Sequence, residues 1–148
     1  MNYFTSSTFR ETLNGLLKKR KDGYSSVSMD ISQALNDMPD NILRDTNERI
    51  LQTVSYRIVK LRVANSGLRL SKADGFRLIY LVSLVSDDVV LLRVYPKRGS
   101  KSMINISNAE YLRLVSEVFN ESKAKMLHQV DVTNSLAVLS TEGSMFQK

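Results

Sequence analysis

Hydrophobic residues at helical spacing open the chain. In residues 8–21 the apolar positions recur every three or four residues, and the stretch ends at Asp22-Gly23, so it predicts an amphipathic helix. A second helix is predicted over residues 25–38, because serines that can cap a helix precede a new apolar stripe and Pro39 follows it. The short connection predicts that the two helices pack as an antiparallel hairpin.

Three apolar runs rich in Val, Ile, Leu and Tyr then predict β-strands over residues 54–63, 75–85 and 88–96. The second and third runs are close enough for a hairpin, which favours an antiparallel meander. Tyr3 and Phe4 indicate a further short edge strand. Alternation along the strands predicts the sheet core: Val59, Leu61, Val63, Leu78, Tyr80, Val82, Val90, Leu92 and Val94.

A third helix is predicted from Ser107 to about Lys125, since Ser107 and Glu110 have the spacing of a capping box. The predicted fold class is α+β, with an N-terminal helical hairpin packed on a small, mainly antiparallel twisted sheet and a C-terminal helix. We divide the chain into a domain of residues 1–122 and a C-terminal extension of residues 123–148. The extension is expected to be mobile or partner-dependent, so truncation after about Lys125 should leave the fold intact.

The amino-acid composition excludes several kinds of active site. The chain has no Cys, which excludes a thiol nucleophile, a disulfide framework and thiolate metal sites, and its single histidine, His128, cannot form a zinc site alone. We therefore expect no metal and no small-molecule cofactor. The chain has neither a leader-like start nor a run long enough to span a membrane, so a cytoplasmic protein without membrane contact is expected. Lys and Arg total 21 against 15 for Asp and Glu, and this net charge of +6 favours an acidic partner.

The cations lie on the strands themselves. Residues two apart share a face of a strand, so the predicted core residues point one way and the charged residues the other. If the strands are neighbours, the cations converge on one patch with Tyr95 as an aromatic platform. The catalytic candidates are Lys60, Arg62, Arg77, Lys97 and Arg98. Further RNA contacts are expected from Arg57, Arg69, Lys72, Arg93, Tyr95 and Lys101.

Such a patch suits RNA cleavage by the 2′-hydroxyl group. The reaction needs a base, an acid and positive charge on the phosphorane. Neighbouring cations favour the neutral form of a lysine, so Lys60 is the expected base, whereas Arg77 would stabilise the phosphate charge. Lys97, Arg98 and Tyr95 are the candidate acids. Taken alone, the same pattern also describes the ordinary wet face of an antiparallel sheet.

Motif order adds to this interpretation. Lys60-Leu61-Arg62 on the first strand is followed by a loop with Ser, Gly and Lys, then by Gly75-Phe76-Arg77-Leu78-Ile79-Tyr80 and by a third strand that ends in Tyr95-Pro96-Lys97-Arg98. Over about residues 3–122 this block resembles the RelE/ParE toxin superfamily. Two departures are Ile58, where RNA-cutting relatives often carry a further lysine, and the lack of a tyrosine shortly after the third strand, since the nearest is Tyr111.

The resemblance implies an enzyme. It would be the toxin of a toxin–antitoxin pair, a metal-independent and ribosome-dependent endoribonuclease that cleaves mRNA and is neutralised by a cognate antitoxin. Its partners would be that antitoxin, mRNA and the ribosome. Two alternatives stay open: a ParE-like toxin that inhibits DNA gyrase without nuclease activity, and a non-catalytic RNA-binding module.

Overall fold

The computed structural model describes residues 1–45, 49–98 and 106–145. Its described helices are α1 (Ser7–Leu17), α2 (Val27–Asn36), α3 (Asp40–Arg44) and α4 (Asn108–Lys123), with a 3-10 turn at Arg20–Asp22. Its described strands are β1 (Asn2–Thr5), β2 (Arg49–Gln52), β3 (Tyr56–Val63), β4 (Phe76–Ser83), β5 (Asp88–Pro96), β6 (Leu127–Asp131) and β7 (Ala137–Gly143). None of these helices is both long enough and apolar enough to cross a membrane.

All seven described strands belong to one sheet, in the order β2-β3-β4-β5-β1-β6-β7. β1 runs parallel to β5, whereas the other neighbouring strands are antiparallel. The predicted fold class, an N-terminal helical hairpin on a small, mainly antiparallel sheet, is therefore wrong: the sheet is seven-stranded and mixed. The difference arises because β2 and β6 are short and β7 shows no regular alternation of apolar and polar residues, so that none of the three was predicted as a strand.

Both faces of the central strands are buried, because helices cover the sheet on both sides. On one face α1 and α2 bring Phe9 and Ile31 onto side chains that include Val59 and Tyr80. On the other face α4 packs on a second core. The second core includes Ile58, Ile79, Leu81, Val90, Leu92, Tyr95, Leu114 and Val118. Every residue of β4 is consequently buried. The predicted core residues Leu78, Tyr80 and Val82 lie together on the face of α1 and α2, as alternation predicted.

The predicted single core is divided between these two faces. Val94 lies in the core under α1 and α2, whereas Val90 and Leu92 lie in the core under α4. The pairing of β4 with β5 shifts by one residue, from Ile79–Arg93 to Tyr80–Leu91. A bulge of this kind inserts one residue and reverses the alternation beyond it. Strict alternation therefore misplaced the first half of β5.

The predicted start of α4 is confirmed. The Ser107 hydroxyl accepts a hydrogen bond from the Glu110 N–H at 3.2 Å, which satisfies one of the unpaired amides at a helix start. The Glu110 carboxylate reaches Arg93 on β5 and Arg113 within α4. Ser107 thus caps the helix, and Glu110 holds the first turn of α4 beside Arg93 at the end of the sheet that carries the cations.

Residues beyond 123 supply two strands of the sheet. β6 pairs with β1, and β7 pairs with β6. Leu127, Val130, Leu136 and Met145 are buried in the two cores. Ser135 and Leu136 have positive φ angles, and the Ala137 N–H donates to the Asn134 carbonyl at 2.9 Å. This is the geometry of a type I′ turn, which ends the loop between β6 and β7. The segment predicted as an extension is therefore packed into the fold.

Candidate nucleic-acid interface

The predicted cations of β3, β4 and β5 meet near one end of the sheet. Arg62 lies directly opposite Arg77, and Arg77 lies opposite Tyr95. Lys60 is two residues earlier on β3 and lies opposite Ile79. Because directly opposed residues of antiparallel strands point to the same face, these side chains share the face on which α4 packs. The strand pairing thus places Lys60, Arg62, Arg77 and Tyr95 on one face of three neighbouring strands.

The Arg77 guanidinium is held by backbone carbonyl groups. The residue is only 6% exposed. Its Nη1 atom donates to the carbonyl oxygens of Lys72 at 3.0 Å and Phe76 at 3.2 Å, and its Nη2 atom donates to that of Ala73 at 2.8 Å. An arginine can satisfy several acceptors at once because its donors form a rigid planar fork. Arg77 therefore anchors the loop before β4, which differs from the phosphate-gripping role expected of it.

Tyr95 is not an exposed platform for a base, because it is only 3% exposed. The Nζ atom of Lys60 lies 5.9 Å from the centre of the Tyr95 ring, within the range of a cation–π contact. The Tyr95 hydroxyl is buried, and no described group forms a hydrogen bond with it. The Tyr95 ring therefore lies against the half-buried Lys60. The Tyr95 hydroxyl is poorly placed to donate a proton to a ligand at the surface.

Arg93 is neutralised by the start of α4. Its Nη1 atom lies 3.1 Å from a Glu110 carboxylate oxygen, and Arg113 pairs with the same carboxylate at 2.7 Å. The hydrogen bond from Arg113, the charge of Arg113 and the contact with Arg93 together outweigh burial and lower the pKa of Glu110 below its usual value. Glu110 therefore stays ionised at neutral pH, and Arg93 serves mainly to dock α4.

Lys97 and Arg98 follow β5 at the rim of the patch, and both are exposed. The Lys97 N–H donates to the Gly75 carbonyl at 2.8 Å, so Lys97 leaves the sheet beside β4. Arg98 donates through Nε and Nη2 to one oxygen of Asp74, at 3.1 and 2.8 Å. The Arg98 carbonyl accepts from the Tyr24 hydroxyl at 3.2 Å. Because 73% of the Arg98 side chain is exposed, this pair is open to competition from a ligand anion.

The remaining predicted contacts are dispersed. Arg57 points to the face of α1 and α2, where it donates to the Arg44 carbonyl and lies 3.6 Å from Asp45. Arg69 and Lys72 are exposed on the loop before β4, and Lys72 lines an open groove of about 500 Å³ together with Arg62. Lys101 lies outside the described residues.

His128 lies on β6 opposite Thr5, so β1 separates it from β5 and from the patch. Burial, with a smaller contribution from the nearby Arg10 charge, lowers its pKa below the ordinary value. Within the described residues, no group of three or more His, Asp or Glu side chains is arranged to hold a metal ion. The described chemistry of the patch is therefore that of cations and a few carboxylates.

Sequence reasoning missed the carboxylates that hold these arginines. The spacing of Glu110, Arg113 and Glu117 along α4 signalled ion pairs within one helix, but nothing local indicated that Glu110 also reaches β5. Asp74 is 24 residues from Arg98 in sequence, so their contact depends on the pairing of β4 with β5. The patch is consequently less positive than its count of cations suggests.

Comparison with known proteins gave no relatives: no family model, no curated protein and no solved structure matches this chain.

Proposed function

We propose that this chain is the toxin of a toxin–antitoxin pair, acting in the cytoplasm as an endoribonuclease that cleaves mRNA on the ribosome. The observation that carries the proposal is the placement of Lys60 and Arg62 on one face of β3 and of Lys97 just past the end of β5, where Arg62 and Lys97 are exposed and Lys60 is half-buried. Lysine and arginine side chains form charge-assisted hydrogen bonds with phosphate oxygens. The resemblance of the strand motifs to the RelE/ParE toxins supports the same function.

The reaction divides naturally among these side chains. The 2′-hydroxyl attacks the adjacent phosphorus and gives its proton to the uncharged amine form of Lys60, the bond to the 5′-oxygen breaks, and a 2′,3′-cyclic phosphate remains. Arg62 stabilises the negative charge on the phosphorane. Lys97 donates the proton to the departing 5′-oxygen, because Arg98 is paired with Asp74 and arginine does not readily give up a proton. Arg77 is a positioning residue that holds the loop beside the site.

Partner binding follows from the same charges. An antitoxin segment rich in Asp and Glu would cover the patch and mask the lysines and Arg62 from RNA, since complementary charge favours such docking. The antitoxin, mRNA and the ribosome are the proposed partners, and no small-molecule cofactor takes part.

The test uses lysines, because their side chains form no described ion pair whose loss would disturb the fold. The wild type, Lys60→Ala, Lys97→Ala and the double variant are expressed from a tightly repressed promoter. Growth is measured, and the 5′ ends of cellular transcripts are mapped after induction. The matched control is Lys123→Ala/Lys125→Ala, which removes two exposed lysines near the end of α4 and lowers the net charge equally.

We expect the wild type and the control to arrest growth and to produce new transcript ends within reading frames. Each single variant should reduce cleavage by roughly 100-fold, the typical contribution of a general acid or base, and the double variant should relieve the arrest. Native circular dichroism must accompany each loss. Absence of new transcript ends in the wild type would refute the nuclease function.

A second candidate is a toxin without nuclease activity, such as a ParE-like inhibitor of DNA gyrase. The observation that favours it is the engagement of Arg77 with three carbonyl groups together with the buried Tyr95 hydroxyl, because both withdraw candidate catalytic groups from the surface. This candidate predicts growth arrest without new transcript ends. It also predicts that Lys60→Ala/Lys97→Ala remains toxic.

A further inference from the structure

Three lysines surround the turn that follows α1. Lys18 ends the helix, and Lys19 and Lys21 lie at and within the 3-10 turn. All three are exposed. They line a shallow concavity of about 390 Å³, and Asp22 is also among its described lining residues. This lysine turn, defined as Lys18, Lys19 and Lys21, was not among the residues that the strand pattern selected.

The backbone of the lysine turn is held in place by residues that pack against it. The turn ends at Gly23, whose φ angle is +81°, a conformation that residues with a side chain rarely adopt. A Cβ atom at Gly23 would lie 2.4 Å from Leu68, so the loop before β4 packs directly against the turn. The next residue, Tyr24, is buried and donates from its hydroxyl to the Arg98 carbonyl. The lysines are therefore held in a defined relation to the rim of the sheet patch.

The three lysines of the turn form no described ion pair. Within residues 1–45, 49–98 and 106–145, the described ion pairs are made by arginines, and none involves these lysines. A lysine just beyond a helix C-terminus interacts favourably with the helix dipole, which accounts for Lys18 alone. It does not account for three ammonium groups around one concavity.

We propose that the lysine turn binds the phosphate backbone of double-helical RNA; the choice of RNA over DNA rests on the proposed function. Ammonium groups are point charges that match phosphate without reading a base. None of the described lining residues is an aromatic side chain on which an unpaired base could stack, which favours a duplex over a single strand. The proposal goes beyond mRNA cleavage, because this surface would bind structured RNA whether or not the sheet patch cleaves a strand.

The experiment measures how salt affects binding to a short 2′-O-methyl RNA duplex. Methylation blocks attack by the 2′-hydroxyl, so the probe cannot be cleaved. Fluorescence anisotropy gives the dissociation constant between 50 and 200 mM salt for the wild type, Lys19→Gln/Lys21→Gln and Lys123→Gln/Lys125→Gln. The two double variants lower the net charge equally, and urea unfolding confirms that both remain folded.

Each lysine–phosphate contact contributes about 0.9 to the slope of log affinity against log salt. Loss of two contacts should therefore reduce the change in affinity between 50 and 200 mM salt by about tenfold in Lys19→Gln/Lys21→Gln. The matched control should keep the wild-type slope. Equal slopes in both double variants, whether reduced or unchanged, would overturn the proposal, since the bulk charge or another surface would then be responsible.

The outcome is independent of the proposed nuclease. Lys60→Ala/Lys97→Ala is measured with the same duplex and should retain the part of the slope that Lys19→Gln/Lys21→Gln loses. A failed cleavage test with a retained slope would therefore refute the nuclease and leave the lysine turn standing. A DNA duplex serves as a second probe, and binding of DNA at least as tight as that of RNA would overturn the assignment to RNA.

Discussion

We expect replacement of Arg77 to act on the stability of the fold rather than directly on RNA cleavage. The guanidinium satisfies the carbonyl groups of Lys72, Ala73 and Phe76 at 2.8 to 3.2 Å, and the residue is almost fully buried. Arg77→Ala removes all three hydrogen bonds and the packing of the aliphatic stem. Arg77→Lys keeps the charge and most of the stem, but it replaces the two guanidinium nitrogens that bond the three carbonyls with a single ammonium group.

The magnitude follows from the number and type of these bonds. A hydrogen bond to a charged group contributes roughly 1.5 to 3 kcal/mol, and bonds from one group are not additive. Water can reach part of the loop once the side chain is removed, because Lys72 and Ala73 are exposed. We therefore expect Arg77→Ala to lose about 2 to 4 kcal/mol and Arg77→Lys to lose about half of that. At ordinary denaturant sensitivity the larger loss lowers the urea midpoint by about 1 to 2 M.

Urea unfolding followed by circular dichroism measures the free energy of unfolding, and hydrogen exchange locates the effect. The Leu70 N–H, which donates to the Asn65 carbonyl at 2.9 Å, reports on the loop itself. It should exchange faster in both variants. If Arg77→Ala unfolded at the wild-type urea midpoint with unchanged exchange at Leu70, the anchoring role would be refuted, and loss of toxicity in that variant could then be attributed to RNA chemistry.

Two further predictions concern the packing of α4 and of the last strands. Burial alone would raise the pKa of Glu117, but hydrogen bonds from Thr8 and Arg113 outweigh it and lower the pKa below the ordinary 4.5. Because the folded-state pKa is depressed, this stabilisation is present above about pH 4.5 and is lost as the pH falls through the folded value. Glu117→Gln should therefore lower the free energy of unfolding by about 1 to 2 kcal/mol at pH 7. Urea unfolding should show that this difference from the wild type disappears towards pH 3. A difference that does not change with pH would contradict the link between the Glu117 pKa and stability. Truncation after Lys125 removes five buried apolar side chains, Leu127, Val130, Val132, Leu136 and Met145. Each contributes about 1.5 to 3 kcal/mol, and their sum is comparable to the whole stability of a domain. The truncated chain should lack cooperative thermal unfolding by circular dichroism, and a sharp transition would show that β6 and β7 are dispensable.

Strong, long apolar runs predicted their elements, and weak runs did not. The second and third predicted strands correspond to β4 and β5, and the helix predicted from Ser107 is α4. β7 was missed because its exposed side chains, which include Val138 and Leu139, follow no regular alternation. Its place depends on β6, which in turn depends on the pairing with β1. Such placement is a property of the whole sheet and is not encoded in any single stretch.

The cations of the sheet illustrate a second limit. Periodicity correctly placed Arg62, Arg77 and Tyr95 on one face, but it also implied that this face is wet. The face is largely dry, since α4 packs on Ile79 and Leu81 of the same strands. A cation at the edge of this dry face either bonds to a carboxylate or a carbonyl group or points towards solvent. Sequence alone does not distinguish these outcomes, because the partners are distant in the chain.

The structure suggests that arginine and lysine have different roles in this protein. Each arginine described here in an ion pair or a carbonyl contact holds two elements together, as Arg77 does for the loop and Arg93 does for α4. No lysine of the described ranges takes part in an ion pair. A planar guanidinium can satisfy several fixed acceptors, whereas an ammonium group on a flexible stem remains available to a ligand. We therefore expect arginine substitutions to change mainly the free energy of unfolding and lysine substitutions to change mainly RNA binding. If Lys60→Ala and Lys19→Gln/Lys21→Gln both lose RNA affinity without loss of stability, these lysines contact the ligand.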